Sequence, residues 1–348
     1  MEKKYTICIL GNTKGDIRNA YSWFAKTVYD GFSRLGHNVF GLDYKSHSLD
    51  QIENFLFDNN IDVLFTHLTM HEHHAKFRVM EMFDSLRSLN GTIIVHTLQD
   101  AREEPRYKGD ISHAFDLALV SQYENINKFQ NYWNVPVYYW PYSCMTYDEM
   151  GEYNPKLDFN MPVFPGNPGS HRDRADFLSK LQKKINMKII RTGSKQDVRS
   201  QTKDFSVSNP CILSLSTRYD YNIKGYIDVR PLQYLGAGGI LICRPHKGQE
   251  KIIPDELYFP IKNYSWESVD QVKEYWNEIK NSDLSDMRKE TFNFLDRWNE
   301  EYKNRSKKIE IKTIAMVAIP ASAKITIPII KAGFVITSNA LNFVIYFG

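Results

Sequence analysis

Hydrophobic positions along the chain fall into short apolar runs that alternate with amphipathic stretches. Tyr5–Leu10 is a first apolar run and stops at Gly11-Asn12. Tyr21–Leu35 follows with helical spacing, ends at Gly36-His37-Asn38, and gives way to a second apolar run, Asn38–Leu42. Strand, helix and strand in that order predict a βαβ unit, because parallel strands need a crossover between them. The alternation continues with a helix at Ile52–Phe57, a strand at Asp62–Thr66, a helix at Ala75–Leu89 and a strand at Thr92–Thr97. Leu117–Ser121 is a further strand, Tyr123–Tyr132 a helix and Val135–Tyr139 a strand. Runs such as IDVLF, TIIVH and LALVS are apolar without alternation, as strands covered by helices on both faces are. The N-terminal half is therefore predicted to be an open parallel α/β domain.

A polar stretch, Thr146–Asn160, carries Gly151, Pro155 and several acids and has the composition of a linker. Val163-Phe164 restarts the pattern, with a helix at Arg174–Ile185, strands at Lys188–Arg191 and Cys211–Ser216, a helix at Val229–Leu235 and a strand at Ile240–Cys243. Helices near Val269–Lys280 and Asp286–Lys303 complete the second series. The expected class is α/β, with two Rossmann-like doubly wound domains, residues 1–150 and 151–308, facing across a cleft. Ligands of such folds bind at the carboxyl ends of the strands. The last segment, 309–348, does not continue the pattern. It is nearly all Ile, Val, Ala, Phe and Thr, with Pro320 and Pro328 within it. Its charge-free run, Ala332–Gly348, falls short of the ~20 residues that span a bilayer. Three readings stay open for it: an appended pair of strands, a tail that contacts a membrane or partner, and a peptide from a shifted reading frame.

Composition narrows the class of function. The 348 residues include 44 basic and 41 acidic side chains, a net charge of +3. That balance does not mark a nucleic-acid binder, although a local basic face is compatible with it. The four cysteines are scattered without a CxxC pair, which predicts reduced thiols and a cytoplasmic, soluble protein. Aromatic residues reach 14%, concentrated in the Tyr132–Tyr142 region, where they serve packing or a platform for a sugar or base.

Several polar groups could carry chemistry. In Tyr219–Glu250 a short helix with Arg230 and Gln233 ends at Gly236–Gly239, and the strand after it delivers Arg244-Pro245-His246 to the cleft. The glycines alone imply only a helix end packed closely against a strand. The polar set around them, Asn222, Lys224, Arg230, Gln233, His246 and Glu250, suits phosphate and ribose hydroxyls better. The loop Gly11-Asn12-Thr13-Lys14-Gly15 matches neither the Walker A nor the GxGxxG pattern and is expected to line the cleft as a βα turn. His67, His71, His73 and His74 follow a strand, but HEHH is not HExxH, and a polar loop at the cleft mouth is the expectation rather than a metal site. His96, read as the end of a strand opening onto the cleft, and Asp100 are the candidate bases. Their bland alternatives are a satisfied strand histidine and a helix N-cap.

The stretch from Asn222 to Cys243 resembles the C-terminal domain of GT-B glycosyltransferases of the CgeB-like, spore-maturation-protein-like family. The matching elements are Asn222, Gly225, Arg230-Pro231-Leu232-Gln233, Gly236–Gly239 and the strand Ile240–Cys243. A second similar block is Val163-Phe164-Pro165-Gly166-Asn167 followed by Arg172 and Arg174, and a third is His96–Asp100 with Phe115-Asp116 and Ser121. The resemblance spans about Tyr5–Arg305 through the order of its blocks. It implies transfer of a sugar from a nucleotide diphosphate to a hydroxyl of a glycan, protein, small molecule or DNA. It also implies donor binding through Asn167, Arg172, Arg174, Asn222, Gly225, Arg230, Gln233, Gly238, Gly239 and His246, with Gly11, Asn12, Gly15, His67 and His71 on the acceptor side. No Asp-x-Asp occurs, which fits the metal-independent scheme that the resemblance implies, with no cofactor beyond the donor substrate. In that scheme Arg172, Arg174 and Arg230 stabilise the leaving diphosphate. One departure stands out: Gln233 occupies the place of the family's ribose-binding Glu and supplies no charge. A non-catalytic sugar-nucleotide or glycan binder and a DNA-base-modifying transferase are the alternative expectations.

Overall fold

The computed structural model describes residues 4–11, 13, 20–67, 76–98, 115–140, 161–190, 211–215, 223–227, 231, 235 and 239–294. The first half builds β1 (Thr6–Leu10), α1 (Ala20–Arg34), β2 (Asn38–Leu42), α2 (Leu49–Asp58), β3 (Val63–His67), α3 (Lys76–Asn90), β4 (Ile93–Leu98), β5 (Leu117–Val120), α4 (Ile126–Trp133) and β6 (Val137–Tyr139). The second builds β7 (Val163–Pro165), α5 (Arg172–Gln182), β8 (Lys188–Ile190), β9 (Cys211–Leu215), β10 (Ile240–Arg244), β11 (Tyr258–Pro260) and α6 (Trp266–Asn281). Residues 285–294 are also helical.

Among the described residues each half forms one sheet, and all pairings are parallel. The first has the order β2-β1-β3-β4-β5-β6 and the second β11-β10-β9-β7-β8. Read from the other edge, the second sheet repeats the first: its opening strand lies between the second and the third. Each sheet therefore reverses its winding direction beside its first strand, at β1/β3 and at β7/β9. The β11 strand escapes the hydropathy pattern because it is three residues long and ends in Pro260, a residue suited only to a strand edge.

Strand parity explains the cores. Cys8 and Leu10 enter one cluster with Leu64, Ile94, Ala118 and Val120, while Ile7 and Ile9 enter another with Phe65, Val95, Leu117 and Leu119. Both faces of the first sheet are thus buried, as its unbroken apolar runs require. The helices match with stripes at spacings of three and four: Val79, Met82, Phe83 and Leu86 on α3, and Val269, Val272, Trp276 and Ile279 on α6. The start of α2 moves back to Leu49 because Ser48 and Gln51 form a capping box there. Polar ties hold the amino edge of the sheet: an Asp62 carboxylate oxygen accepts from the Thr6 amide at 2.7 Å and an Asp116 oxygen from the Ile94 amide at 2.7 Å.

The two halves meet along their carboxyl edges. The turn after β5 carries Tyr123 and Glu124, and the turns at 223–227 and 246–250 receive them. Tyr139 of β6 also packs against the second half's cluster of Ile227, Leu235, Leu241 and Cys243. The linker reading of Thr146–Asn160 and all three readings of 309–348 fall outside the described residues. Among the described residues no helix is long and apolar enough to cross a membrane.

Candidate functional site

The second sheet's switch point is spanned by a buried cation. Arg174 lies in the first turn of α5, and only 4% of it is exposed. Its Nη2 donates to the carbonyl of Asn167, in the turn after β7, at 2.8 Å. Its Nη1 reaches the carbonyl of Leu215, the last residue of β9, at 3.4 Å. The guanidinium also lies 5.5 Å from the Phe164 ring centroid. One side chain therefore bridges the ends of β7 and β9. A fork of five donors on a planar group can serve two carbonyls at once in a way that lysine cannot.

Arg172 sits two residues earlier, at the first position of α5, and is exposed. The helix starts there because the Asn167 side chain accepts from the Gly169 amide and closes a short 3-10 turn, Pro168–Ser170, ahead of it. Arg244 ends β10, beside Leu215 in the register, and its guanidinium lies 5.0 Å from the Tyr264 ring centroid. Burial pushes the Tyr264 hydroxyl above its ordinary range, and Arg244 and Arg174 both pull it back. The carboxyl edge of the second sheet thus gathers Arg172, Arg174 and Arg244 with the amino end of α5. Charge and oriented amides together make such an edge receptive to an anion.

His246 occupies the turn after β10 and is 3% exposed. Its backbone amide donates to Gln249 Oε1 at 3.1 Å, and its ring meets Tyr226 edge-on at 5.4 Å. Gln249 is itself buried and reaches Cys243 Sγ at 3.6 Å, so the turn is closed by its own side chains. Burial pushes the Cys243 thiol up to about 12, against a lowering contribution from Gln249. Gly225 has φ +82°, and a Cβ there would lie 1.9 Å from Cδ1 of Tyr123. Its glycine character is accounted for by this contact between the halves. Gly239 is buried immediately before β10.

On the first half, the β1/β3 switch point brings Gly11 and His67 to one edge, since Ile9 pairs with Phe65 two residues before each. Gly11 donates its amide to Leu42 at 2.9 Å, and a Cβ on it would come within 2.9 Å of the Ala25 Cβ on α1. His96 corrects an expectation. It is the fourth of six residues in β4, not a strand end opening onto a cleft. Parity places it on the same face as Ile94 and Leu98, and it is fully buried at 0% exposure. Its ring stacks on Phe115 at 4.7 Å and meets Trp133 edge-on at 5.7 Å. A base must touch its substrate, and here the aromatic core encloses this ring. Asn12, Gly15, His71, Asp100, Asn222, Arg230, Gln233 and Gly238 lie outside the described residues. Among the described residues no group of three His, Cys, Asp or Glu could hold a metal ion.

Sequence reasoning left Arg244 out of the donor set although the strand ILIC ends on it, and the strand-end position was the available signal. Tyr123 and Tyr264 carried no sequence signal beyond being aromatic.

No family model and no curated protein matches the chain. Solved structures do. Sucrose-phosphate synthase from Thermosynechococcus elongatus superposes with a TM-score of 0.57 at 10% identity, covering 90% of this chain and all of that one (100%). A DNA-modifying β-glucosyltransferase, solved in the presence and absence of uridine diphosphoglucose, gives 0.53 at 14% identity over 88% and 99%. A glycosyltransferase from Rickettsia africae gives 0.52 at 11% identity over 88% and 98%. The fold is GT-B. In a GT-B chain the two Rossmann-like halves present their carboxyl edges to each other, which is how β5 and β10 meet here. Identities of this size establish the GT-B fold alone, and chemistry must be argued from the site.

Proposed function

We propose that this chain is a metal-independent glycosyltransferase similar to the CgeB-like family. It transfers a sugar from a nucleotide diphosphate to a hydroxyl acceptor in the cytoplasm. The observation that carries the reading is the carboxyl edge of the second sheet, where Arg174 is braced across the switch point and leaves Arg172 and Arg244 beside the amino end of α5. A diphosphate needs such an edge, and charge developing on it as the sugar departs is stabilised by fixed cations without a metal. Asn222, Arg230, Gln233 and Gly238 complete the donor side in this reading through the motif resemblance. In the same reading Gly11, Asn12, Gly15, His67 and His71 are assigned to the acceptor side through the resemblance. The uridine diphosphoglucose bound by the DNA-modifying neighbour makes UDP-glucose the first donor to try.

A second reading keeps the donor site without the chemistry. It is favoured by Gln233, which replaces the family's Glu, and by the enclosure of His96 in the core. The deciding experiment is a thermal-shift titration with UDP, UDP-glucose and the other nucleotide diphosphates in EDTA, followed by donor turnover. A ligand at ~100 times its Kd adds about 2.7 kcal/mol of stability. The transferase reading expects a shift without metal, its loss in Arg172→Ala, and release of free nucleotide on turnover. A shift with no turnover, also in Gln233→Glu, supports the binder. No shift with any nucleotide ends both readings. Turnover that needs DNA would assign the acceptor to the class its structural neighbour modifies.

A further inference from the structure

The contact between the halves is a built joint. Tyr123, from the turn after β5, enters a notch made by Gly225 and Gly248 of the second half. Both glycines have positive φ, +82° and +83°, and a Cβ on either would collide with the tyrosine, at 1.9 Å from Cδ1 and 2.7 Å from Oη. Two backbone turns have thus taken a conformation and a size that admit this one ring. Tyr139 supports it edge-on at 5.5 Å and donates its hydroxyl to the Gly225 carbonyl at 2.8 Å. Glu124 accepts from the Lys224 amide at 2.7 Å and lies 3.9 Å from Lys247 Nζ. Gly225 donates to the Lys247 carbonyl at 3.2 Å, which ties the two receiving turns into one unit.

We infer that this socket is the pivot between the halves, and that Tyr123 is a positioning residue that holds their relative angle. The ring between the two glycines is the central contact of the socket, and the bonds of Glu124 and Tyr139 hold it on either side. The receiving turns also carry His246 and lead in sequence towards Arg230 and Gln233. On the donor reading above, on which this last step rests, movement at the socket reaches the nucleotide side directly.

The test uses the full chain with spin labels on Asn54→Cys, exposed on α2, and Lys273→Cys, exposed on α6, in a Cys144→Ser background. Distances are measured by pulsed electron resonance without nucleotide, so the result does not depend on the transferase reading. The wild-type socket is expected to give one narrow distribution. Tyr123→Ala should broaden it at least twofold, Tyr123→Phe should restore it, and Gly225→Ala should shift its mean by filling the notch. If Tyr123→Ala does not fold, Glu124→Ala removes only the bonds to Lys224 and Lys247 and should broaden the distribution by a smaller factor. An unchanged distribution in Tyr123→Ala, or in Glu124→Ala where that variant must stand in, overturns the pivot. UDP is then added to wild type and Tyr123→Ala. A pivot intact without UDP but insensitive to it removes the link to the donor site and leaves the joint standing.

Discussion

The two sheets share one winding order and differ in what they place at the turning point. In the second half a guanidinium, Arg174, is buried and answers carbonyls from both neighbouring strands. In the first half the buried polar ring, His96, lies in mid-strand and is enclosed by Phe115 and Trp133. Both are inaccessible to solvent, yet their placements carry opposite meanings. Arg174 sits at the carboxyl edge, where the winding reverses, and on the proposed donor reading its charge lies on the side that the diphosphate approaches. His96 sits beneath the edge, two residues short of the end of β4, where both faces of the strand are covered. A shared topology therefore does not distribute chemistry equally: among the described residues the cluster of arginines lies at the edge of the second half.

The largest effect that sharpens this contrast is expected from Arg174→Ala. It leaves the Asn167 and Leu215 carbonyls without their buried donor, at about 1–3 kcal/mol for each unsatisfied group. Chemical denaturation should show a loss of roughly 3 kcal/mol, whereas Arg172→Ala, exposed, should stay within about 0.5 kcal/mol. Equal losses in the two variants would mean that Arg174 does not bridge the strand ends. A smaller effect is expected from His96→Ala, which opens a cavity beside Phe115 and should cost about 2 kcal/mol. Calorimetric titration with UDP should find its affinity unchanged. Wild-type stability combined with lost UDP binding would instead put His96 in the site.

The gentlest comparison uses alkaline pH. Burial raises Cys8, Tyr123 and Tyr138 in the first half, and Cys211, Cys243, Tyr258 and Tyr264 in the second. A group whose pKa is raised by folding contributes fully below its unfolded value and loses that contribution as pH climbs through the folded one. For Cys243 the window runs from the ordinary 9.0 to about 12. Urea midpoints should therefore fall as pH is taken from 8.5 to 11. A flat midpoint across that range would contradict the burial of these thiols and phenols.

Most of the fold was legible from hydropathy. Continuous runs identified β1, β3, β4, β5 and β10 within a residue or two, because a strand buried on both faces has no polar position to disguise it. The same simplicity hid β11, whose three residues are too few for a pattern. For the site, Arg174 was legible as a candidate but its bridging role was not, since the two carbonyls it answers lie 7 and 41 residues away along the chain. His96 was misplaced for a related reason. Periodicity finds a strand but not its last residue, and because both faces of this sheet are buried, two residues of position along β4 separate the core from the carboxyl edge.

What the chain determined by itself, then, is the succession of strands and helices and the burial of both sheet faces. Those follow from local spacing, which each segment carries within its own residues. The tertiary structure alone decided the strand order, the reversal beside β1 and β7, and the gathering of Arg172, Arg174 and Arg244 at one edge. It also decided a second role for Gly225 and Gly248, beyond the positive φ that each turn requires locally. The space they leave is filled by Tyr123, a ring about a hundred residues earlier in the chain, and only packing brings the three together.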